Sequence, residues 1–165
     1  MNRYYDLGRL NSLFEKLKLA KLQSEFEQIE SSIWQVWMDA QSDIMNHKML
    51  EGTDYMAQQE YCEAIATFTE MTERWETYSE AWNKRATVYY LKGEYKKSLE
   101  DISKTLTIEP RHFGALSGRA TIYRELCYDR GVMDTLCLMQ ALMPGKNALD
   151  KQIKEVQSRL GPFGK

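Results

Sequence analysis

Residues 79–112 read SEAWNKRATVYYLKGEYKKSLEDISKTLTIEPRH, and this stretch is the central copy of a pattern that recurs along the chain. Tyr55, Tyr89 and Tyr123 follow one another at intervals of 34 residues. A fixed interval of this length is typical of repeat proteins, in which each copy is one supersecondary unit that stacks on its neighbours. The interval divides the chain into units at 45–78, 79–112 and 113–146.

Each unit reads as two helices joined by a tight turn. Gly52 and Ala86 fall where the two helices of a unit would cross, and a close crossing requires small side chains. Gly93 suits the turn between helices because glycine tolerates unusual backbone angles, whereas Pro110 and Pro144 end the second helix of their units. The pattern predicts helices near 7–18, 22–39, 44–57, 60–73, 79–92, 94–107, 113–126, 129–142 and 147–160.

The repeated positions resemble those of the tetratricopeptide repeat (TPR) family. In the central unit the matching residues are Trp82, Ala86, Tyr89, Gly93, Tyr95, Ser98, Ile102 and Pro110. The resemblance implies an all-α fold, an α-solenoid of TPR helical hairpins that forms a right-handed superhelix. Residues 81–123 are similar to a TPR group common in alphaproteobacteria, in which a helical pair with paired tryptophans also precedes the repeats.

The N-terminal part of the chain predicts a helical pair over 7–40. Extending the 34-residue interval backwards places Phe14, Trp34 and Trp37 on core positions, so we interpret this pair as a degenerate unit that caps the stack. An amphipathic membrane anchor or targeting helix over 7–22 is the alternative interpretation.

Composition and the C-terminal end fit one domain over 1–165. Residues 147–160 predict an amphipathic capping helix that covers the last hairpin. The net charge of −2 gives no general attraction to nucleic acid or anionic membrane, and no apolar run has the length of a membrane span. The three cysteines form no CxxC motif and no even set, which predicts an intracellular reducing compartment, and the chain starts without an apolar signal-peptide core. The resemblance to the bacterial group implies a mitochondrial protein of bacterial descent, and a cytoplasmic location is the alternative. The three cysteines at 62, 127 and 137 are predicted to be small buried hydrophobic residues.

Catalytic patterns are sparse in this sequence. His47 and His112 are the two histidines, and neither has a cysteine or carboxylate at metal-ligand spacing. His112 follows Pro110 in a turn, so we expect it to be solvated. No glycine-rich phosphate loop follows a strand, and the sequence therefore predicts a protein that is not an enzyme and uses no cofactor.

The first helix of each hairpin lines the groove of a TPR array, and equivalent residues of neighbouring units form rows there. Chaperone-binding TPR proteins use lysine and asparagine in such rows to clamp a terminal carboxylate, whereas Met49 and Thr53 occupy those positions here. The resemblance therefore implies another protein as partner and argues against a chaperone-tail clamp. The predicted partner-binding residues are Met49, Thr53, Met56, Asn83, Thr87, Tyr90, Ser117, Thr121 and Arg124.

Two arginines, Arg85 and Arg119, occupy positions where leucine is usual in the family. They predict salt bridges with Glu100, Asp101 or Glu125, and a basic strip that contacts RNA phosphate is the alternative. The sequence thus predicts a non-catalytic adaptor or scaffold that is a structural subunit of a larger assembly. The alternative is an RNA-contacting helical-repeat component of an organellar ribosome or RNA-processing complex.

Overall fold

A computed structural model describes residues 4–40 and 42–161 of the chain. Within these ranges all regular structure is helical, and each helix begins and ends within one residue of its predicted bounds. The fold is therefore all-α, as predicted. The helices are α1 Leu7–Leu19, α2 Gln23–Met38, α3 Asp43–Ala57, α4 Tyr61–Arg74, α5 Ser79–Leu91, α6 Tyr95–Ile108, α7 Phe113–Glu125, α8 Asp129–Leu142 and α9 Asn147–Leu160.

Three hairpins, α3–α4, α5–α6 and α7–α8, pack in chain order, and α9 packs on α8. The turn inside each hairpin contains one residue with positive φ, and these residues lie 34 apart: Gln59 at 63°, Gly93 at 74° and Cys127 at 54°. Pro110 and Pro144 lie in the connections that follow α6 and α8, as predicted. A tight turn and a helix stop therefore recur in the same places of the repeat.

Small residues permit the close crossing of the two helices in a hairpin. A Cβ atom on Gly52 would lie 2.6 Å from the ring of Phe68, which packs directly on the backbone of α3. In the next hairpin Ser98 on α6 donates its hydroxyl to the carbonyl of Ala86 on α5 at 2.7 Å. The predicted role of the small residues is confirmed at both crossings.

Successive hairpins stack through residues that also recur every 34 positions. The buried stacking residues are Ala81, Val88, Ala115, Ile122, Leu149 and Val156. Because α9 carries this pattern, it stacks as the first helix of a further unit would, and its buried Ile153 adds to the contact. In α3 the equivalent residues are His47 and Asp54, and both are exposed to solvent. The first hairpin therefore presents a polar surface where a preceding hairpin would stack.

The N-terminal pair, α1 and α2, does not stack before α3, so its interpretation as an end cap of the array is wrong. Phe14 and Trp37 are buried, as predicted, but they share one core with residues of α7, α8 and α9. The pair lies along the connections between units, where Tyr78 donates its hydroxyl to the Trp37 carbonyl at 3.0 Å. Stacking on α3 would have buried the polar His47 and Asp54 without a partner, which explains the different position.

His112 is fully buried, so the expectation that it is solvated is wrong. It is the N-cap of α7, and its Nδ1 accepts a hydrogen bond from the Ala115 amide at 3.2 Å. Nε2 therefore carries the proton and donates to Glu80 at 2.9 Å. The ring stacks on Trp37 with centroids 4.1 Å apart, so α2 covers the start of α7.

The three cysteines are exposed rather than buried, so the prediction that they fill the core is wrong. Each helix that carries one turns other residues inward: Ala64 and Phe68 are buried on α4, and Leu136 is buried on α8. The third cysteine, Cys127, lies in the turn before α8. The inward-facing positions of these helices are thus taken by other apolar residues, and the thiols face water.

A groove walled by the N-terminal pair

The first helices of the second and third hairpins, α5 and α7, line a groove of about 480 Å³. Five of the nine predicted binding residues line this groove, and each of them lies on α5 or α7. They are Asn83, Thr87, Tyr90, Ser117 and Thr121. The rows expected from the repeat are therefore brought together over these two units.

Hydrogen bonds to the helix backbone set the chemistry of the polar residues in the groove. Thr87 donates its hydroxyl to the carbonyl of Asn83 at 3.0 Å, and Thr121 donates to the carbonyl of Ser117 at 3.0 Å. A hydroxyl whose proton is used in this way keeps lone pairs that accept from other donors. The groove therefore presents methyl groups and hydrogen-bond acceptors.

Aromatic side chains form the apolar part of the groove. Tyr90 stacks on Tyr95 of α6 with centroids 5.8 Å apart and an interplanar angle of 23°. Trp34 of α2 contacts Phe113 of α7 edge to face, with centroids 5.3 Å apart. The rings of Tyr90, Trp34 and Phe113 line the groove, which therefore combines aromatic faces with the hydrogen-bond acceptors of α5 and α7.

The contribution of α2 to the groove was missed by sequence reasoning. Glu30 and Trp34 on α2 and Lys146 after α8 line it together, and Lys146 pairs with Glu30. One signal was present: Gly114 opens α7, and a Cβ atom there would lie 2.5 Å from the Trp34 ring. A glycine inside the first turn of a helix, where no turn requires it, indicates close approach of another group.

The remaining predicted residues do not line the groove. Met49 is only 1% exposed and belongs to the core between α3 and α4, while Thr53 donates its hydroxyl to the Met49 carbonyl at 2.7 Å. Met56 packs against the same core. Arg124 is exposed and donates to the Gln152 side chain at 2.5 Å, which turns it toward α9.

Cations near the groove have carboxylate partners. The Lys84 ammonium lies 3.5 Å from Oε1 of Glu80, and Glu80 is fully buried. Arg85 pairs with Asp101 at 2.7 Å, which confirms the predicted salt bridge. Burial is the largest single influence on the pKa of the Arg85 guanidinium and lowers it, but the hydrogen bond to Asp101 and the negative charge around the group together raise that pKa above its usual value. The groove is close to electrically neutral.

No group of three or more His, Cys, Asp or Glu side chains in residues 4–40 and 42–161 is arranged to hold a metal ion. In the same part of the chain, no helix combines the length and apolar character that crossing a membrane requires.

Solved structures of similar fold include several TPR domains. The TPR2B domain of yeast Sti1 in complex with pHsp70 matches with a TM-score of 0.61 and 18% identity, over 68% of this chain and 95% of that one. The Sgt2 TPR domain from Aspergillus fumigatus matches with a TM-score of 0.63 and 18% identity, over 72% of this chain and 80% of that one. The first TPR of Spaghetti (RPAP3) bound to the HSP90 peptide SRMEEVD matches with a TM-score of 0.60 and 14% identity, over 96% of this chain and 98% of that one.

Sequence comparison agrees with the fold. No family model matches the chain. A TPR repeat-containing protein of Rhizobium etli is 30% identical over 152 residues, which cover 92% of this chain and 74% of the relative. Because 92% of the chain is covered, the match includes part of the N-terminal pair as well as the repeats, in keeping with the resemblance to an alphaproteobacterial group. The chain therefore belongs to the tetratricopeptide repeat family.

Proposed function

We propose that this protein is a non-catalytic adaptor or scaffold, a structural subunit of a larger assembly, that binds a segment of another protein in the groove between α2, α5 and α7. The observation that carries the proposal is the groove of about 480 Å³ itself, with Tyr90 and Trp34 on its walls. Tyrosine and tryptophan are enriched among the residues that dominate interface energies.

The groove chemistry favours a peptide segment with free backbone amides. The hydroxyl oxygens of Thr87 and Thr121 accept hydrogen bonds, and backbone N–H groups of an extended segment are the matching donors. The Tyr90 and Trp34 rings then supply contact area for apolar side chains between those amides.

A terminal carboxylate is a poor match for this groove. Lys84 and Lys146 are its cations, and Glu80 and Glu30 already neutralise them. Met49 is buried in the α3–α4 core and offers no charged group. We therefore propose that the protein does not bind chaperone tails. The pairing of Arg85 with Asp101 likewise removes a cation from the strip that an RNA-binding function would need.

The test uses Ser117→Arg, which introduces a long side chain from an exposed position of α7 into the groove. Ser158→Arg on α9 is the matched control, because Ser158 is also an exposed helical serine and lies outside the groove. Partners are captured from native extract with the wild-type protein and quantified by mass spectrometry for both variants. We expect a defined set of proteins to be lost with Ser117→Arg and retained with Ser158→Arg.

Equal capture by the two variants at equal stability would contradict the groove as the binding site. Titration with SRMEEVD, the peptide held by the Spaghetti TPR domain, tests the second part of the proposal. We expect no saturable binding, and micromolar binding would show that a carboxylate clamp exists after all.

Fractionation of cells tests the predicted mitochondrial or cytoplasmic location.

A further inference from the structure

A second candidate site lies outside the groove and is identified by comparing two equivalent arginines. Arg85 in the second unit donates from Nε and Nη2 to the two carboxylate oxygens of Asp101, at 2.7 and 2.8 Å. Its Nη1 donates to the hydroxyls of Thr69 and Thr72, at 3.1 and 2.9 Å. This arginine thus joins α4, α5 and α6 and has a partner for each of its terminal nitrogens.

Arg119 occupies the same place one repeat later, but its surroundings differ. The residue 34 positions after Asp101 is Thr135, which accepts a single hydrogen bond from Arg119 Nε at 3.1 Å. The equivalents of the two threonines are Ser103 and Leu106, and neither receives a hydrogen bond from Arg119. In the part of the chain that the structure describes, Arg119 has no carboxylate within 4.0 Å, although it is half-buried.

A crevice of about 300 Å³ opens between α6 and α7 beside this guanidinium. Its walls combine apolar side chains, a phenol ring, two exposed hydroxyl-bearing residues and the single cation. The lining residues are Leu99, Ile102, Ser103, Leu106, Thr107, Arg119 and Tyr123. Only Ile102 also lines the groove of the proposed function, so the two cavities present different surfaces.

The chemistry of the crevice specifies its occupant. A guanidinium has five N–H donors in a planar fork, and a carboxylate satisfies two of them at once. Arg85 and Asp101 show this arrangement in the same fold environment. The leucine and isoleucine side chains around Arg119 require an apolar group beside that carboxylate, which a nucleic-acid phosphate backbone does not provide.

We propose that the α6–α7 crevice is a second docking site, and that it receives an aspartate or glutamate of a partner protein whose neighbouring side chain is apolar. The carboxylate pairs with Arg119 in the way that Asp101 pairs with Arg85, and the apolar side chain packs on Leu99 and Leu106. The site does not depend on the groove, so the protein contacts its assembly on two surfaces.

The test supplies the missing carboxylate from the chain itself. Thr135→Asp introduces the residue type found at the equivalent position of the previous unit, and it should occupy Arg119 and block the crevice. Arg119→Leu removes the cation and introduces the residue usual in the family. Ser117→Arg identifies any peptides that bind the groove, and Ser158→Arg on α9, which lies outside both cavities, is the control. Heptapeptides are selected from a random displayed library with the full wild-type chain, and their affinities are measured for each variant.

We expect the selected peptides that bind the crevice to carry an acidic residue beside a large apolar one, whereas peptides that bind the groove are recognised by their loss in Ser117→Arg. Loss of a charge-assisted pair should weaken the binding of these crevice peptides at least about tenfold in Thr135→Asp and Arg119→Leu, with no change in Ser158→Arg. Changing the acidic residue of a peptide to its amide should have the same effect, and that comparison needs no variant of the protein.

Three results would overturn the proposal. The first is a selection that yields no peptide whose binding depends on Arg119. The second is equal affinity of the acidic peptide and its amide. The third is binding of free hexanoate as tight as that of the peptide, which would identify a site for small carboxylates rather than for a protein. Failure of the groove test leaves these measurements unaffected, because they concern different residues.

Discussion

Gln59, Gly93 and Cys127 hold the same place in three hairpin turns, and all have positive φ, between 54° and 74°. A residue with a Cβ atom is strained in this region by about 1–2 kcal/mol, whereas glycine is not. Glycine costs about 0.5–1 kcal/mol more conformational entropy on folding, which offsets part of that gain. We therefore expect Gln59→Gly and Cys127→Gly each to raise the free energy of unfolding by about 0.5–1 kcal/mol. Gly93→Ala should lower it by a similar or larger amount, although a Cβ atom there meets nothing within 4 Å.

The neighbouring Gln58 provides a matched control, because it is also exposed and has a φ of −81°. At this position glycine brings only the entropic cost, so Gln58→Gly should destabilise the protein by about 0.5–1 kcal/mol. Urea unfolding followed by circular dichroism at 222 nm measures the free energy of unfolding of both variants. On heating, each kcal/mol of that free energy should move the melting temperature by about 2–4 °C. Equal destabilisation by Gln59→Gly and Gln58→Gly would show that backbone strain has no part in the turn.

Two other changes test the packing of the N-terminal pair and the surface of the repeats. Trp37→Ala should destabilise the protein by about 3–5 kcal/mol, because it removes a fully buried ring that stacks on His112. Trp37→Phe should destabilise it much less, since the indole Nε1 has no hydrogen-bond partner among the described residues. A small loss in urea titrations of Trp37→Ala would mean that α2 is not held against α7. All three cysteines should react with a thiol reagent in the native protein, because all are exposed; a thiol that reacts only after unfolding would contradict its position.

Helix bounds were predictable because local residues determine them. Gly93 has the backbone angle that ends one helix and begins the next, and Pro110 lies in the connection after α6. The same local pattern recurs in each unit, so a single interval was sufficient to place every turn. Burial of the small residues at the helix crossings followed for the same reason, since Ala86 and Ser98 lie within one hairpin.

His112 and the cysteines show where local reasoning is insufficient. A histidine two residues after a proline reads as part of a solvated turn, and nothing within that turn indicates that the ring will cap α7 and contact Glu80, which precedes it by 32 residues. The partners that bury His112 come from α5 and α2, which are distant in the sequence. The interval of the repeat carries no information about such contacts, because they do not recur in the other units.

The position of the N-terminal pair decides what the groove is, and it depends on residues outside the pair. Extending the repeat interval backwards correctly placed Phe14 and Trp37 in a core, yet it could not specify which helices they would meet. The deciding residues are on α3, where His47 and Asp54 replace the apolar stacking residues and make burial of that surface unfavourable. The pair packs instead where Gly114 leaves space for the Trp34 ring. Because Trp34 then walls the groove, a polar first hairpin and a groove with an added aromatic wall are two consequences of the same arrangement.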